Sequence, residues 1–499
     1  MTKTLLSLLL AGSPLLAQVA QPPSPSAPPP IPARPEALVF KPIRYEPPRA
    51  EDFRTVLKNG MVAFIAEDKA LPLVSVGLTM RLGSYLDPTG KEGLAEMVGA
   101  QMRRGGTKSL APEALDERLD FLATTINVRI GETSGGAFMN CLRENLDESL
   151  KLFVEILRDP RFDQERLNLS RDASLQEMKR RNDDASAIEG REWHILLRGE
   201  SHFTSRFTTE ASLKSLTRED LVAFHKAFVH PGNMVAAVSG SFDKAEIVQK
   251  LEAAFEEWGG PKPVIPPIPE KTEPAPPGLY RVEKDVNQGR VSIGLPLVKR
   301  DSPDIYALEV MNEILGGSGF TSRITKTVRS DEGLAYEAGS GVDFGIYFPG
   351  AFRAVFQSKS ESVAYATSLV YGEIEKMRSS PVSPQELDTI KKSLIETFPS
   401  EFGSLAQSMS VFAQDEFTGR SPEYMRSYRA RIGAVSAADV LRVAKQYLVP
   451  DQMRVLVVGN QKAIDTGDGR HKVALSDVVK GPVTVLPLRD PMTMKPLGH

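Results

Sequence analysis

LKSLTREDLVAFHKAFVHPGNMVAAVSG spans residues 213–240, and IGAVSAADVLRVAKQYLVPDQMRVLVVG spans residues 432–459. Laid on each other without a gap, Asp220 meets Asp439, Pro231 meets Pro450, Met234 meets Met453 and Gly240 meets Gly459. Six identities are few, and the apolar pattern carries the argument: Leu221, Phe224, Phe228 and Val229 face Val440, Val443, Tyr447 and Leu448, spaced for one side of a helix. Each copy therefore reads as a capped helix, a proline turn and a buried strand. Upstream, Pro160 with Glu165 matches Pro381 with Glu386, displaced by 221 residues where the first match is displaced by 219. The chain is a duplication.

Elsewhere in each half, Val74 to Leu78 and Val291 to Leu295 are strand-like runs, and Leu146, Leu150, Phe153, Val154 and Leu157 recur at helical spacing. The expected class is α/β (α+β): two homologous domains, each a mixed, largely antiparallel sheet covered by helices. A length of 499 residues suits two domains of roughly 200 residues each. The proline-rich stretch from Pro261 to Gly278 divides them as a linker, which predicts domains at 51–260 and 279–489 and a tail at 490–499. At the N-terminus, Leu5 to Ala17 is a short apolar run broken only by Gly12, Ser13 and Pro14. It is too short to span a bilayer and reads as the core of a signal peptide over 1–20. A proline-rich tether over 21–50 follows, including Pro28-Pro29-Pro30. The expected mature protein is exported, periplasmic, and not inserted in a membrane. With 61 Lys and Arg against 64 Asp and Glu there is no basic footprint for nucleic acid.

Cys141 is the only cysteine, which excludes an intramolecular disulfide and a thiolate zinc cluster; its apolar setting predicts a buried thiol. The six histidines, His194, His202, His225, His230, His471 and His499, include no pair at i and i+4 with an intervening glutamate, the arrangement that turns two imidazoles toward one zinc. His225, on the apolar face of its helix, is expected to be a satisfied core residue. A nucleophile elbow and a phosphate-binding P-loop are absent too.

Gly93-Leu94-Ala95-Glu96-Met97-Val98-Gly99-Ala100, followed by Arg103-Arg104-Gly105-Gly106-Thr107, resembles the metal-binding helix of the insulinase and pitrilysin (inverzincin) zinc peptidases. That family's pattern is Gly-Leu-Ala-His-x-x-Glu-His. On it, Glu96 takes the place of the first histidine, Gly99 that of the catalytic glutamate and Ala100 that of the second histidine. Glu177 falls where the family has a further glutamate ligand; without the histidines it reads first as a solvated helix carboxylate. A hard cation between Glu96 and Glu177 is the remaining metal reading, with few ligands to hold it. In the second half, Ile314-Leu315-Gly316-Gly317-Ser318-Gly319-Phe320-Thr321-Ser322-Arg323 and then Arg329 to Tyr336 resemble the family's C-terminal glycine turn and Arg-x-x-x-x-Leu-Ala-Tyr run. The three glycines are expected to serve the turn backbone.

The resemblance implies two related domains that make half of a clam-like chamber, and two such halves pairing. It implies that Arg329 and Tyr336 contact a peptide substrate, as a guanidinium and a phenol donate hydrogen bonds to a carbonyl or oxyanion. Read alone, Arg329 pairs with Asp331 or Glu332 while Tyr336 packs in a strand. The type implied is the non-catalytic subunit, similar to the alpha subunit of mitochondrial processing peptidase and its bacterial exported relatives. The expected site is therefore catalytically incomplete, with no cofactor in this chain, zinc in a homologous partner subunit that keeps the intact motif, and a peptide as substrate. The alternative function is a peptide-binding or scaffold protein with no hydrolytic role.

Overall fold

A computed structural model describes residues 45–256, Trp258 and 261–498, together with Arg34, Ala37 and Leu38. The segment read as a signal peptide, most of the tether and His499 lie outside the described residues. Among the described residues no helix is long and apolar enough to cross a membrane.

The repeated segment is realised twice. Thr217 and Ser436 cap their helices with their hydroxyls, and Asp220 and Asp439 three residues on return the bond to the cap backbone. This reciprocal pairing satisfies N–H groups that a helix start leaves orphaned. The helices run Arg218–Phe228 and Ala437–Tyr447; a short proline turn follows each, then strands Met234–Gly240 and Arg454–Gly459.

Among the described residues, twelve strands form two six-stranded sheets. In chain order they are β1 (Arg54–Val56), β2 (Val62–Glu67), β3 (Leu73–Met80), β4 (Thr125–Ile130), β5 (Gly135–Leu142), β6 (Met234–Gly240), β7 (Gly278–Glu283), β8 (Gln288–Pro296), β9 (Ala335–Asp343), β10 (Ala351–Lys359), β11 (Arg454–Gly459) and β12 (Val483–Leu486). The first sheet has the order β1-β2-β6-β3-β5-β4 and the second β12-β7-β11-β8-β10-β9. Only the β2–β6 pair is parallel in the first, and only β12–β7 and β7–β11 in the second. Both sheets are thus mixed and mainly antiparallel, and each ends on the strand, β4 or β9, that borders a candidate site.

Each sheet buries one face under its own half's helices. Leu146, Leu150, Phe153, Val154 and Leu157 are all buried in the first core, and Cys141 lies there with its thiol pushed up to about 11 by burial. His225 is buried as well, its Nε2 2.7 Å from the Leu157 carbonyl. The second faces are covered reciprocally. The helix Leu405–Thr418 of the second half places Met409, Phe412, Ala413 and Phe417 on Phe64, Ala66 and Val235 of the first sheet. The helix Ala185–Arg198 of the first half places Ile188, Trp193 and Leu196 on Tyr280, Val282, Leu456 and Val458 of the second. Glu189, buried on that helix, receives Arg290 at 2.6 Å and Arg353 at 3.1 Å, so its charge is paired. The stretch 261–277 joins the two sheets without a strand or helix of its own, and it is anchored where Arg198 and Leu196 carbonyls accept from the Glu273 and Ala275 amides.

Candidate functional site

The first candidate region is built on the helix Leu94–Arg104. Gly93 enters it with a φ of +97°, a conformation glycine adopts freely. The Asp87 carboxylate accepts from the Gly93 and Ala95 amides at 2.9 and 2.8 Å, satisfying the helix start. Burial pushes Asp87 up to about 6 in spite of those two bonds and nearby Arg206.

The helix presents Glu96 and Ala100 to a cavity of about 600 Å³. Glu177, from the helix Gln164–Met178, and Arg181 just beyond it form the opposite wall, and β4 supplies Asn127 to Ile130. Gln101 ties the two helices together, donating to Ser170 Oγ at 2.7 Å and to the Arg166 carbonyl at 3.2 Å. The sequence-predicted Glu96, Ala100 and Glu177 are therefore brought into one place. Both carboxylates are exposed, and neither takes part in an ion pair within 4 Å among the described residues.

Gly99 is not in that lining. It is buried against β4, where a Cβ would stand 2.7 Å from the Ile130 backbone nitrogen. The position of the family's base is thus closed by backbone as well as being without a carboxylate. The donor set does not fit zinc: Ala100 offers no ligand atom, and two glutamates alone are short of the three protein ligands that catalytic zinc sites use. Among the described residues no group of three or more His, Cys, Asp or Glu side chains could hold a metal ion.

The second region repeats the construction. Asp304, Glu313, Gly316 and Gly317 each lie 217 residues after Asp87, Glu96, Gly99 and Ala100. The helix Ile305–Asn312 runs on into a wider turn over Glu313–Gly317, and a Cβ on Gly316 would overlap the Ser340 amide of β9. Two of the three glycines expected in a turn are therefore in the helical extension: Gly316 serves close approach to a strand, and Gly317 leaves room for the Asn312 and Glu313 side chains. Only Gly319, with a φ of +54°, makes the turn. Its loop is tied down by Ser322, whose hydroxyl oxygen stands 2.8 Å from the Gly319 carbonyl and 2.9 Å from Thr325 Oγ1, and by Thr325, which donates to the Ala338 carbonyl of β9 at 2.6 Å. Arg323 grips Glu386 with two bonds of 2.8 and 3.0 Å, and this pair holds the Glu386 carboxyl down to about 2.

Arg329 and Tyr336 meet on the surface of this loop. The guanidinium carbon of Arg329 lies 4.4 Å from the ring centre of Phe320 and 4.8 Å from that of Tyr336. These are cation–π distances. No ion pair joins Arg329 to Asp331 or Glu332, and Tyr336, although on β9, is 80% exposed; the pairing and packing open to these two residues on sequence alone are not what the fold adopts. Phe320 is 68% exposed. The cavity of the first half includes neither Arg329 nor Tyr336 in its lining.

Two residues escaped the sequence reading. Phe320 stood in the quoted glycine run, and an apolar residue among Gly, Ser and Thr was a usable signal. Arg181, four residues after Glu177, carried none, because its relation to Glu96 is tertiary.

Comparison with known proteins agrees with this architecture. Residues 62–194 match the family described as insulinase (peptidase family M16), and residues 215–394 match the peptidase M16 inactive domain. A Helicobacter pylori protein described as non-peptidase homolog YmxG is 23% identical over 409 residues, covering 79% of this chain and 91% of that protein. The probable beta subunit of mitochondrial-processing peptidase from Arabidopsis thaliana is 22% identical over 429 residues, covering 81% and 78%. Among solved structures, a peptidase M16 inactive domain from Pseudomonas fluorescens superposes with a TM-score of 0.72 at 22% identity, covering 81% of this chain and 97% of that one.

Proposed function

Since the chain belongs to the insulinase (M16) peptidase family and lacks that family's histidine pair and base, we propose that it is the peptide-holding, non-catalytic subunit of an exported heterodimeric zinc endopeptidase. The observation that carries this reading is the stack of Phe320, Arg329 and Tyr336. A guanidinium flanked by two rings is fixed in orientation at little entropic cost, and a phenol 80% exposed has its hydroxyl free to donate. Both are groups that bind a peptide carbonyl, and neither activates water. β9 is the outermost strand of its sheet, so an extended chain has a strand edge beside them. In this reading zinc belongs to a homologous partner with the intact His-x-x-Glu-His helix, and the two chains together enclose the peptide.

The test is reconstitution. The chain is mixed with a homologue bearing the motif, and cleavage of an unstructured peptide is followed. Turnover well above that of the homologue alone is expected, and Arg329→Ala should remove most of the gain. Equal turnover with and without this chain sinks the subunit reading. Peptide capture without any gain in turnover supports the scaffold reading in its place.

A further inference from the structure

A second cavity, of about 470 Å³, is walled by both halves of the chain and shares no lining residue with the first. The helix Leu405–Thr418 turns one face into it: Phe412, Asp415 and Glu416 line the cavity at i, i+3 and i+4, so their side chains stand on one side of the helix. Phe64 of β2, with Pro422 and Met425 at the start of the helix Glu423–Ala434, adds apolar surface. Most of the charged groups in the wall are paired. Arg54 donates twice to Glu416, at 3.3 and 3.0 Å, and Arg426 lies 3.5 Å from Glu51 and 3.2 Å from Glu423.

Asp415 and Arg420 are the exception. Asp415 is 8% exposed, yet among the described residues no hydrogen bond is donated to its carboxylate, and its one ion pair is with Arg420 Nε at 3.5 Å. Arg300, the other nearby cation, is occupied by the hydroxyl and carbonyl of Thr418. Burial pushes Asp415 up to about 6 although Arg420 and Arg300 both pull it down, so its charge is poorly compensated. Neither of its oxygens is sealed from solvent. The Arg420 side chain makes no hydrogen bond among the described residues either; its guanidinium carbon rests 4.6 Å from the ring centre of Tyr424. A carboxylate short of donors and a guanidinium short of acceptors thus stand side by side in a mainly apolar wall whose other charges cancel.

This pairing selects a head group. An amine matches Asp415 and is repelled by Arg420, and an acid meets the reverse. A neutral amide offers a donor and an acceptor, but hydrogen bonds with both partners charged are the stronger ones. An α-amino acid carries ammonium and carboxylate on one carbon, brings no net charge, and has a side chain to place on the apolar wall. The cavity volume lies within the roughly 300–1,000 Å³ of small-molecule sites.

We infer that this cavity binds a free α-amino acid with a large apolar side chain, its ammonium on Asp415, its carboxylate on Arg420 and its side chain against Phe64, Phe412 and Met425. The site is independent of Arg329 and Tyr336 and does not rest on the peptide-holding reading.

The test is calorimetric titration of the full chain with L-phenylalanine, L-leucine and L-methionine, and with phenethylamine and 3-phenylpropanoate, which keep one charge each. L-phenylalanine should occupy a single site with a Kd below about 1 mM, and the amine and the acid should bind at least about tenfold more weakly. Asp415→Asn and Arg420→Gln should each weaken L-phenylalanine binding by about tenfold or more, with unchanged circular dichroism spectra. Should either fail to fold, Met425→Trp decides: it fills the cavity from a half-buried position and should abolish binding in a folded chain. If none of the three amino acids binds, the inference falls. Binding that survives Asp415→Asn, Arg420→Gln and Met425→Trp puts the amino acid elsewhere and overturns the site. Phenethylamine or 3-phenylpropanoate binding as tightly as L-phenylalanine overturns the zwitterion assignment.

Discussion

The helix Leu94–Arg104 on β4 and the helix Ile305–Asn312 with its extension on β9 are two copies of one construction with opposite outcomes. In both, a glycine, Gly99 or Gly316, lets the helical backbone approach the amide of the outermost strand. In the first copy the helix ends cleanly and flanks a cavity with exposed carboxylates on two walls. In the second the helix widens, Gly319 turns, and an arginine is held against two exposed rings. The entering aspartates differ as well. Asp87 is buried against backbone amides and its pKa is raised, whereas Asp304 receives Arg442 at 2.7 Å and the Tyr447 hydroxyl at 2.8 Å and its pKa is lowered. The duplication preserved packing, and chemistry diverged in the side chains that packing leaves exposed.

The contrast between the copies fails most decisively if the metal site proves restorable. The triple variant E96H/G99E/A100H is expected to lose about 4 kcal/mol of stability or more, since the G99E change needs β4 to move and buries a charge. The double variant E96H/A100H, which leaves Gly99 alone, should stay folded and take up zinc through the new pair with Glu177, without hydrolysing peptides. Metal content and thermal unfolding decide this; a stable, zinc-loaded and proteolytic triple variant would falsify the steric account of Gly99.

The exchanged helices give the next largest effect. Trp193→Ala and Phe412→Ala each remove a large aromatic side chain that one half sends to the other's sheet, and each should cost about 3–5 kcal/mol in denaturant unfolding. A much smaller loss at one of them would show that the exchange is one-sided. Below these, Gly316→Ala and Gly99→Ala are expected to cost about 1–3 kcal/mol from overpacking, with Gly316 the worse because its Cβ overlaps Ser340 more deeply than the 2.7 Å approach at Gly99. The reverse order would separate the two copies structurally.

The smallest effect is in the pH dependence. A raised carboxyl contributes stability that is complete below its unfolded value near 3.8 and is lost as pH rises through the folded value of about 6, so Asp87 favours the folded chain at pH 4 over pH 7. A lowered carboxyl does the opposite: the Asp304 contribution is present above its unfolded value and is lost as pH falls through its folded value. Asp87→Asn should flatten the stability profile between pH 4 and 7, and Asp304→Asn should flatten it only at the acid end. Identical profiles for the two variants would remove this distinction between the copies.

The duplication was legible along the chain, because a capped helix, a proline turn and a buried strand are local patterns with fixed offsets. So was the absence of the histidine pair at Glu96 and Ala100, and so were the elements on which Glu177 and Tyr336 stand. Which sheet each covering helix serves was settled by tertiary structure: Ala185–Arg198 and Leu405–Thr418 carry apolar faces that do not say whose strands they meet. The same long-range packing closes Gly99 with β4, stacks Arg329 on Phe320 in preference to pairing it with Asp331 or Glu332, and brings Arg181 into a cavity with Glu96. Patterns along the chain report what a residue needs to bury or cap. Only the closure of the chain across long separations reports what stands on the other side.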